Sequence, residues 1–189
     1  LCCMWIIHCH HSLALLLILF IQADNLAFAM SVKPNKEDSA NLSRWANRWA
    51  ISKLGWHKSD PHHYLVKHGS RVIPGLFADK KVADSHTCAE KSRVLVPLCG
   101  KTVDMKFLAE TDAVSEVVGV DGIQKALEEF ASENPSLEIK QEQVEGGNTG
   151  FERFVGTNIN LLQGDFFDID EDTAGGQFDV IVDRASIVA

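Results

Sequence analysis

Residues 94–121 read VLVPLCGKTVDMKFLAETDAVSEVVGVD, and this stretch decides the fold class. It begins within a short apolar run over 93–98, which predicts a buried strand that ends just before Gly100. Apolar residues at helical spacing over 101–111 predict a helix, and a second apolar run over 116–120 predicts another strand. Strand, helix and strand in this order are typical of a parallel α/β sheet.

Two helices are predicted upstream of this stretch. Apolar residues spaced by three and four predict an amphipathic helix, for which Asn41 or Ser43 can provide the N-cap. The apolar positions are Leu42, Trp45, Ala46, Trp49 and Ala50. A short second helix is predicted over 62–68, with Asp60 as its N-cap and Pro61 at its first position.

The alternation of helices and strands continues downstream. Ile123, Leu127 and Phe130 predict a further helix, and apolar runs over 159–163 and 178–182 predict the third and fourth strands. Such continuously apolar strands fit a sheet that is covered on both faces. We therefore predict an α/β, Rossmann-like fold with a parallel sheet and helices on both faces. Ligands of such sheets bind at the carboxyl ends of the strands.

Composition bounds the class of protein. The 189 residues suit one domain with one core. The formal net charge is −8 and no basic run is present, so we exclude nucleic acid as a partner, because phosphate binding needs Lys and Arg. The five cysteines contain no C-x-x-C pair and predict neither a disulfide framework nor a zinc site. This usage fits a cytoplasmic protein, and we expect no metal.

Residues 1–39 are expected to form a leader outside the folded domain, which we place at 40–189. An apolar run over 12–23 has the outline of a secretory signal, but the residues before Met30 contain no Lys or Arg. The alternatives are that the protein starts at Met30 or that the run forms a structured helix. If the leader is translated, a secreted or membrane-anchored protein is the alternative to a cytoplasmic one. The His-Cys-His-His cluster at 8–11 could ligate a metal, but a location outside the fold is favoured.

Two positions near the first two strand ends suit a nucleoside ligand. Asp121 ends the second strand and can accept hydrogen bonds from both hydroxyls of a ribose, with a cap on the next helix as the alternative role. Gly100 lets the backbone approach a ligand closely, and the following helix points its amino end at the same place, which favours a carboxylate. The motif G-x-G-x-x-G is absent, which disfavours a dinucleotide.

The ends of the third and fourth strands carry further candidates. Asp165 and Phe166 combine a polar and an aromatic side chain, which can bind and stack an adenine ring; a strand-end Asp beside a core Phe is the alternative. Arg184 follows Asp183 directly. It forms either a surface ion pair or a contact to an anionic group at the mouth of a crevice.

These residues lie within a longer family resemblance. Residues 94–110 resemble the signature segment of thiopurine S-methyltransferases, a PLCGK-x-x-[DE]-M stretch after the first strand. VVGVD at 117–121 and FDVIVDRASIVA at 178–189 resemble the second and fourth strands of that family. The W-x-x-x-W pattern at 45–49, followed by Gly-Trp-His at 55–57, is similar to its amino-terminal element.

The resemblance implies a class I methyltransferase fold and S-adenosyl-L-methionine as methyl donor. It implies that Trp45 to Trp56 cover the cofactor, that Asp165 and Phe166 flank its adenine, and that Trp56 lines the acceptor pocket where many relatives have Phe. Together with Gly100, the predicted cofactor contacts are Trp45, Trp49, Leu98, Asp121, Asp165, Phe166 and Arg184. A plain core role is the alternative for both helical tryptophans. His57, His62 and His63 are expected at the surface or at helix ends.

The function expected from this resemblance is S-methyl transfer to a small thiopurine-like or other aromatic or heterocyclic thiol, by a monomer without stable membrane association of residues 40–189. Arg184 is the predicted catalytic residue, which favours the thiolate form of the acceptor. The alternatives are methylation of small anions such as thiocyanate, halide or selenium nucleophiles, or a non-catalytic module that only binds the cofactor. Members of the family continue past the fourth strand, so we expect this chain to be incomplete at its carboxyl end.

Overall fold

The computed structural model describes residues 36–77, 90–142 and 150–184. The helices in these ranges are α1 (Lys36–Ala50), α2 (His63–His68), α3 (Val103–Ala109), α4 (Gln124–Glu133) and α5 (Glu171–Ala174). The strands are β1 (Ser92–Pro97), β2 (Val114–Asp121), β3 (Lys140–Glu142), β4 (Glu152–Gly156), β5 (Ile159–Gln163) and β6 (Val180–Ile181). Short 3₁₀ helices lie at Gly69–Arg71, Pro135–Leu137 and Phe166–Asp168.

The described strands form one six-stranded sheet in the order β3-β4-β5-β2-β1-β6. β1 lies parallel to both β2 and β6, and β2 lies parallel to β5. The register places Gly119 opposite Val96 on one side and opposite Leu161 on the other. The carboxyl ends of β1, β2 and β5 therefore meet at one edge of the sheet. The predicted Rossmann-like α/β fold class is confirmed.

The four predicted strands are the four parallel strands, whereas β3 and β4 were not predicted. β4 runs antiparallel to β5, and β3 runs antiparallel to β4, so the sheet is mixed instead of purely parallel. All three residues of β3 are exposed, and β4 has a single fully buried residue, Phe154. β3 forms one edge of the sheet and β4 lies next to it, and neither is buried on both faces, so a continuous apolar run is not required.

Helices cover both faces of the sheet. On one face, Met105 and Leu108 of α3 and Leu127 and Phe130 of α4 are fully buried against the strands. On the other face, the buried cluster contains Leu95, Val118, Val120, Phe151, Leu162, Ile169 and Ala174, the last from α5. Adjacent residues of β1 and β2 thus bury their side chains on opposite faces, which explains their continuously apolar sequences.

Two of the predicted helix caps are wrong. α1 begins at Lys36, so Asn41 and Ser43 lie inside the helix and do not cap it. The N-cap of α2 is His62, whose Nδ1 accepts a hydrogen bond from the Tyr64 amide at 3.3 Å, while Asp60 instead accepts one from the Ser59 hydroxyl. The helices themselves were predicted correctly.

No helix in the described ranges combines the length and apolar character needed to cross a bilayer. The apolar run at 12–23, the cluster at 8–11 and Met30 lie outside the described residues.

Candidate functional site

The loop that follows β1 has an unusual backbone. Leu98 and Gly100 both adopt left-handed conformations, with φ of 43° and 52°. Such a conformation is strained for leucine but not for glycine. The side chain of Leu98 is 42% exposed at the carboxyl edge of the sheet. The loop therefore presents an apolar side chain and a bare stretch of backbone at this edge.

Asp121 joins the ends of β1 and β2. Its Oδ2 accepts a hydrogen bond from the Gly100 amide at 2.7 Å, and its Oδ1 accepts one from the Ile123 amide at 2.8 Å. Burial raises the pKa of this carboxyl above its ordinary value, and the two amides partly offset that effect. The carboxylate thus fixes both turns. The alternative considered for it, a cap on the next helix, is not what forms, because Ile123 is the N-cap of α4 and Asp121 instead holds the Ile123 amide. Each oxygen retains a further lone pair for a ligand.

Three tryptophans form a cover beside this edge. The Trp45 and Trp49 rings of α1 each pack edge-on against Trp56, with ring centroids 5.1 and 6.4 Å apart. Trp49 is buried and lies over the first loop, where a Cβ added to Gly100 would stand 3.3 Å from its ring. Trp45 and Trp49 therefore pack in an aromatic cluster that reaches the strand ends. Trp49 has the core role considered for it, and a role of the two rings in covering a ligand stays a prediction.

A cavity of about 130 Å³ opens between this cover and the end of β1. It is lined by Trp56, His57, Lys58, Val96, Pro97, Leu98, Cys99, Lys101, Thr102 and Arg184. Three of the predicted site residues, Trp56, Leu98 and Arg184, therefore share one cavity. The cationic side chains of Lys58, Lys101 and Arg184 make its wall suited to an anionic or electron-rich ligand.

Arg184 is held by groups at the start of α3. Its Nη1 lies 3.1 Å from Oδ2 of Asp104 and 3.4 Å from the Thr102 hydroxyl. The ion pair is thus formed with Asp104, and the Arg184 side chain, which is 23% exposed, lines the cavity. Arg184 is therefore placed to contact an anionic group.

Lys101 fastens the same loop to α4. Its ammonium group lies 2.8 Å from the Glu129 carboxylate and 2.6 Å from the Glu133 carboxylate. Burial acts to lower the pKa of Lys101, but hydrogen bonds to Glu129 and Glu133 outweigh burial and raise it. The lysine therefore remains charged while lining the cavity.

His57 lies in the cavity wall, although it was expected at the surface or at a helix end. Partial burial, followed by the positive charge of Lys101, lowers the pKa of its imidazole below the ordinary value of 6.5. The ring is therefore neutral at pH 7 and can accept a hydrogen bond. His62 is a helix cap and His63 is exposed, as expected.

Asp165 and Phe166 lie after β5, beside the end of β2, and are not among the residues that line the cavity. The Gly164 amide donates to the Asp121 carbonyl at 3.1 Å, which ties this turn to the neighbouring strand end. Asp165 accepts a hydrogen bond from the Phe167 amide at 2.9 Å, and Phe166 packs partly against the core. These contacts match the alternative considered for the pair, a strand-end Asp beside a core Phe.

Several polar residues of the cavity and its support were not predicted as site residues, among them His57, Lys58, Lys101, Thr102 and Asp104. Lys101 and Asp104 are letters of the PLCGK-x-x-[DE]-M segment, so the motif contained a signal for them. Within the described ranges, no group of three His, Cys, Asp or Glu residues could hold a metal ion.

The family model for thiopurine S-methyltransferase matches residues 40–189. The chain belongs to the thiopurine S-methyltransferase family. The fold described above is thus the class I methyltransferase fold of that family, and the PLCGK-x-x-[DE]-M segment supplies its cavity loop.

Individual members of the thiopurine S-methyltransferase family agree. The thiopurine S-methyltransferase of Pseudomonas paraeruginosa is 35% identical over 145 residues, which cover 77% of this chain and 56% of the relative. A Danio rerio protein named probable thiopurine S-methyltransferase is 35% identical over 151 residues, 79% of this chain and 57% of its own. The Shewanella amazonensis thiopurine S-methyltransferase is 31% identical over 148 residues, which cover 77% of this chain and 56% of the relative. The chain thus spans little more than half the length of these relatives.

Proposed function

We propose that this protein is an S-adenosyl-L-methionine-dependent S-methyltransferase that acts on an aromatic or heterocyclic thiol of the thiopurine kind. The observation that carries the proposal is the junction of the β1 and β2 ends, where Gly100, Asp121 and Trp49 meet beside a cavity lined by Trp56 and Arg184. Family membership and the names of the relatives support the same activity.

The residues at the strand ends fit the methyl donor. Asp121 has a free lone pair on each carboxylate oxygen and can accept hydrogen bonds from ribose hydroxyls. Gly100 keeps a side chain out of the space beside Trp49, and Leu98 offers apolar contact. When bound, the cofactor supplies a methyl group activated by sulfonium charge, whose transfer to a thiolate leaves a neutral thioether and S-adenosylhomocysteine.

The cavity supplies what the acceptor requires. Trp56 provides a flat wall for an aromatic ring, and Arg184 provides a positive charge beside it. A nearby cation stabilises the thiolate, which is the nucleophilic form of a thiol. Positioning this sulfur in line with the methyl carbon is the main task left to the protein. Arg184 therefore acts by favouring ionisation and orientation of the acceptor, without a strong general base.

The proposal is tested by incubating the purified protein with S-adenosylmethionine and a heteroaromatic thiol and measuring both products. We expect the methyl thioether and S-adenosylhomocysteine in equal amounts. The variant Arg184→Met should lower the rate most at pH values below the thiol pKa, where the acceptor depends on the nearby cation to ionise, and least above that pKa, where the acceptor ionises without help. The control Arg71→Met changes an exposed arginine. A rate and pH profile of Arg184→Met identical to those of the parent would exclude the proposed role of Arg184. Binding of S-adenosylhomocysteine by the parent without turnover would instead favour the non-catalytic module.

A second candidate is favoured by the size of the cavity. Its volume of about 130 Å³ is below the roughly 300–1,000 Å³ of common small-molecule pockets. A small, polarisable nucleophile, such as thiocyanate, halide or a selenium compound, would fit it without rearrangement. A panel of acceptors at equal concentration separates the two candidates, since higher kcat/KM for the small anions would favour the second.

A further inference from the structure

Asp104 is a buried carboxylate that pairs with Arg184 beside the cavity. It lies in the first turn of α3 with 1% of its surface exposed. Its Oδ2 lies 3.1 Å from Arg184 Nη1 and accepts a hydrogen bond from the Thr102 hydroxyl at 3.0 Å. Its Oδ1 accepts a hydrogen bond from the His62 amide at 2.6 Å. One side chain therefore joins the start of its own helix to two other segments around the cavity, those of His62 and Arg184.

Burial makes these contacts interdependent. A carboxylate withdrawn from water keeps its charge only when its oxygens are paired, and removal of one partner leaves a costly buried charge. Asp104 therefore requires Arg184 as a counter-ion. Arg184 in turn has its Nη1 fixed by Asp104 and Thr102, so its remaining donors are restricted in direction. Arg184 also lines the cavity, so the direction of its remaining N–H donors determines the orientation in which an acceptor binds.

The other carboxylate oxygen anchors the opposite wall. Trp56, His57 and Lys58 line the cavity, and the chain continues from them to His62. The His62 amide donates its hydrogen bond to Asp104 and so holds this segment in place. Asp104 thus links the wall that carries the aromatic ring to the cation that faces it. A change at Asp104 would loosen the cavity on two sides.

We propose that Asp104 is the positioning residue that sets the orientation of Arg184 towards the methyl acceptor. The inference rests on the proposed function of the site. It assigns to the acidic position of the PLCGK-x-x-[DE]-M segment the orientation of the acceptor-facing arginine.

A double-mutant cycle tests the proposal, with Asp104→Asn, Arg184→Met and the double variant compared with the parent. Asp104→Asn keeps an oxygen for the His62 amide but removes the charge that holds Arg184. We expect it to raise the acceptor KM about tenfold, within the range of coupling between contacting residues, while the Kd for S-adenosylhomocysteine changes less than twofold. In the Arg184→Met background, the same substitution should have almost no effect on acceptor KM.

Three further measurements separate positioning from a general structural role. Asp104→Glu retains the negative charge, so its acceptor KM should stay close to that of the parent. Glu138→Gln removes an exposed carboxylate at the opposite edge of the sheet and should match the parent. Amide hydrogen exchange at His62 should remain slow in Asp104→Asn and become fast in Asp104→Ala, which removes the acceptor.

The outcomes are distinguishable. Additive effects of Asp104→Asn and Arg184→Met on acceptor KM, in a protein that turns over normally, would overturn the inference alone. Additive effects of the same pair on the free energy of unfolding would also overturn it, because the two side chains would then not act as a unit. Absence of turnover in the parent would instead contradict the proposed function, and the acceptor role of Arg184 with it.

Discussion

Leu98 combines a strained backbone with an exposed apolar side chain. Its φ of 43° lies in the left-handed region, which costs a non-glycine residue about 1–2 kcal/mol. Strain of this kind persists where the surrounding structure enforces it and is concentrated at functional positions. Its place between β1 and Gly100 therefore supports a role in ligand contact more than a role in the core.

Replacing Leu98 by Asn separates these two effects. Asn tolerates the left-handed region, so we expect Leu98→Asn to be as stable as the parent or up to about 1 kcal/mol more stable in urea unfolding. Loss of the apolar contact should weaken S-adenosylhomocysteine binding about tenfold. The control Glu138→Asn, also left-handed with φ of 52°, should gain stability without changing affinity. A clear loss of stability in Leu98→Asn would contradict the strain argument.

Gly100 is constrained by backbone and space together. Gly100→Ala would combine a φ of 52° with a Cβ 3.3 Å from the Trp49 ring. The matched variant Gly150→Ala has φ of 73° but no atom within 4 Å of the new Cβ, so it reports strain alone. We expect Gly150→Ala to lose about 1–2 kcal/mol and Gly100→Ala to lose more and to bind S-adenosylhomocysteine more weakly. Equal losses with equal affinities would show that contact with Trp49 is unimportant.

At the residue scale, the sequence could indicate positions but not partners. Asp121 and Gly100 were predicted from their places after strands, and the structure joins them by a hydrogen bond. The partner of Arg184 could not be predicted, because the neighbouring Asp183 is close in sequence whereas Asp104 is close only in the fold. A buried acid in the first turn of a helix also has the same local pattern as an exposed one.

At the scale of elements, burial decided which strands could be predicted. β1, β2 and β5 are buried along most of their length because helices cover both of their faces, and each therefore contains an apolar run that the sequence reveals. β3 has no buried residue, so nothing in its composition distinguishes it from a loop. The start of α1 was also misplaced, because its first turns lie outside the apolar spacing that marked the helix. The missing information was thus the neighbourhood of each segment in the sheet.

The link between the cavity loop and α4 gives a pH prediction. Hydrogen bonds to Lys101, and then to Lys125, lower the pKa of Glu129 below its ordinary value of 4.5. A lowered folded-state pKa stabilises the fold above pH 4.5, and this contribution is lost as the pH falls through the folded-state value. Glu129→Gln should therefore reduce the free energy of unfolding by about 0.3–1 kcal/mol at pH 7, and the difference should shrink below pH 4.5.

Urea unfolding of the parent and of Glu129→Gln between neutral and acidic pH measures that difference. Glu128→Gln serves as the control, because Glu128 lies on the same helix and accepts a hydrogen bond from the neutral Gln124 amide at 2.9 Å. The control should differ from the parent by a smaller amount at every pH. A Glu129→Gln difference that stays constant below pH 4.5 would contradict the assignment.

At the scale of the whole molecule, the site is formed where separate segments converge. α1 reaches the end of β2, since a Cβ added to Gly122 would lie 2.7 Å from the Leu42 side chain. The same helix contacts the loop after β1 through Trp49, and its Trp45 ring packs against Trp56 in the cavity wall. Ligand binding at these strand ends should therefore order α1 and the loop together, and it should stabilise the folded state by mass action.

Calorimetric titration of S-adenosylhomocysteine into the parent and into Asp121→Asn is the most direct test of the assignment. We expect saturable binding to the parent and binding at least tenfold weaker to Asp121→Asn, because charge-assisted hydrogen bonds to the ribose contribute about 1.5–3 kcal/mol. Asp168→Asn, an exposed carboxylate beyond β5, should bind as the parent does, and thermal unfolding should verify that each variant is folded. Failure of the folded parent to bind, or equal affinity in Asp121→Asn, would contradict a nucleoside-binding site at the ends of β1 and β2.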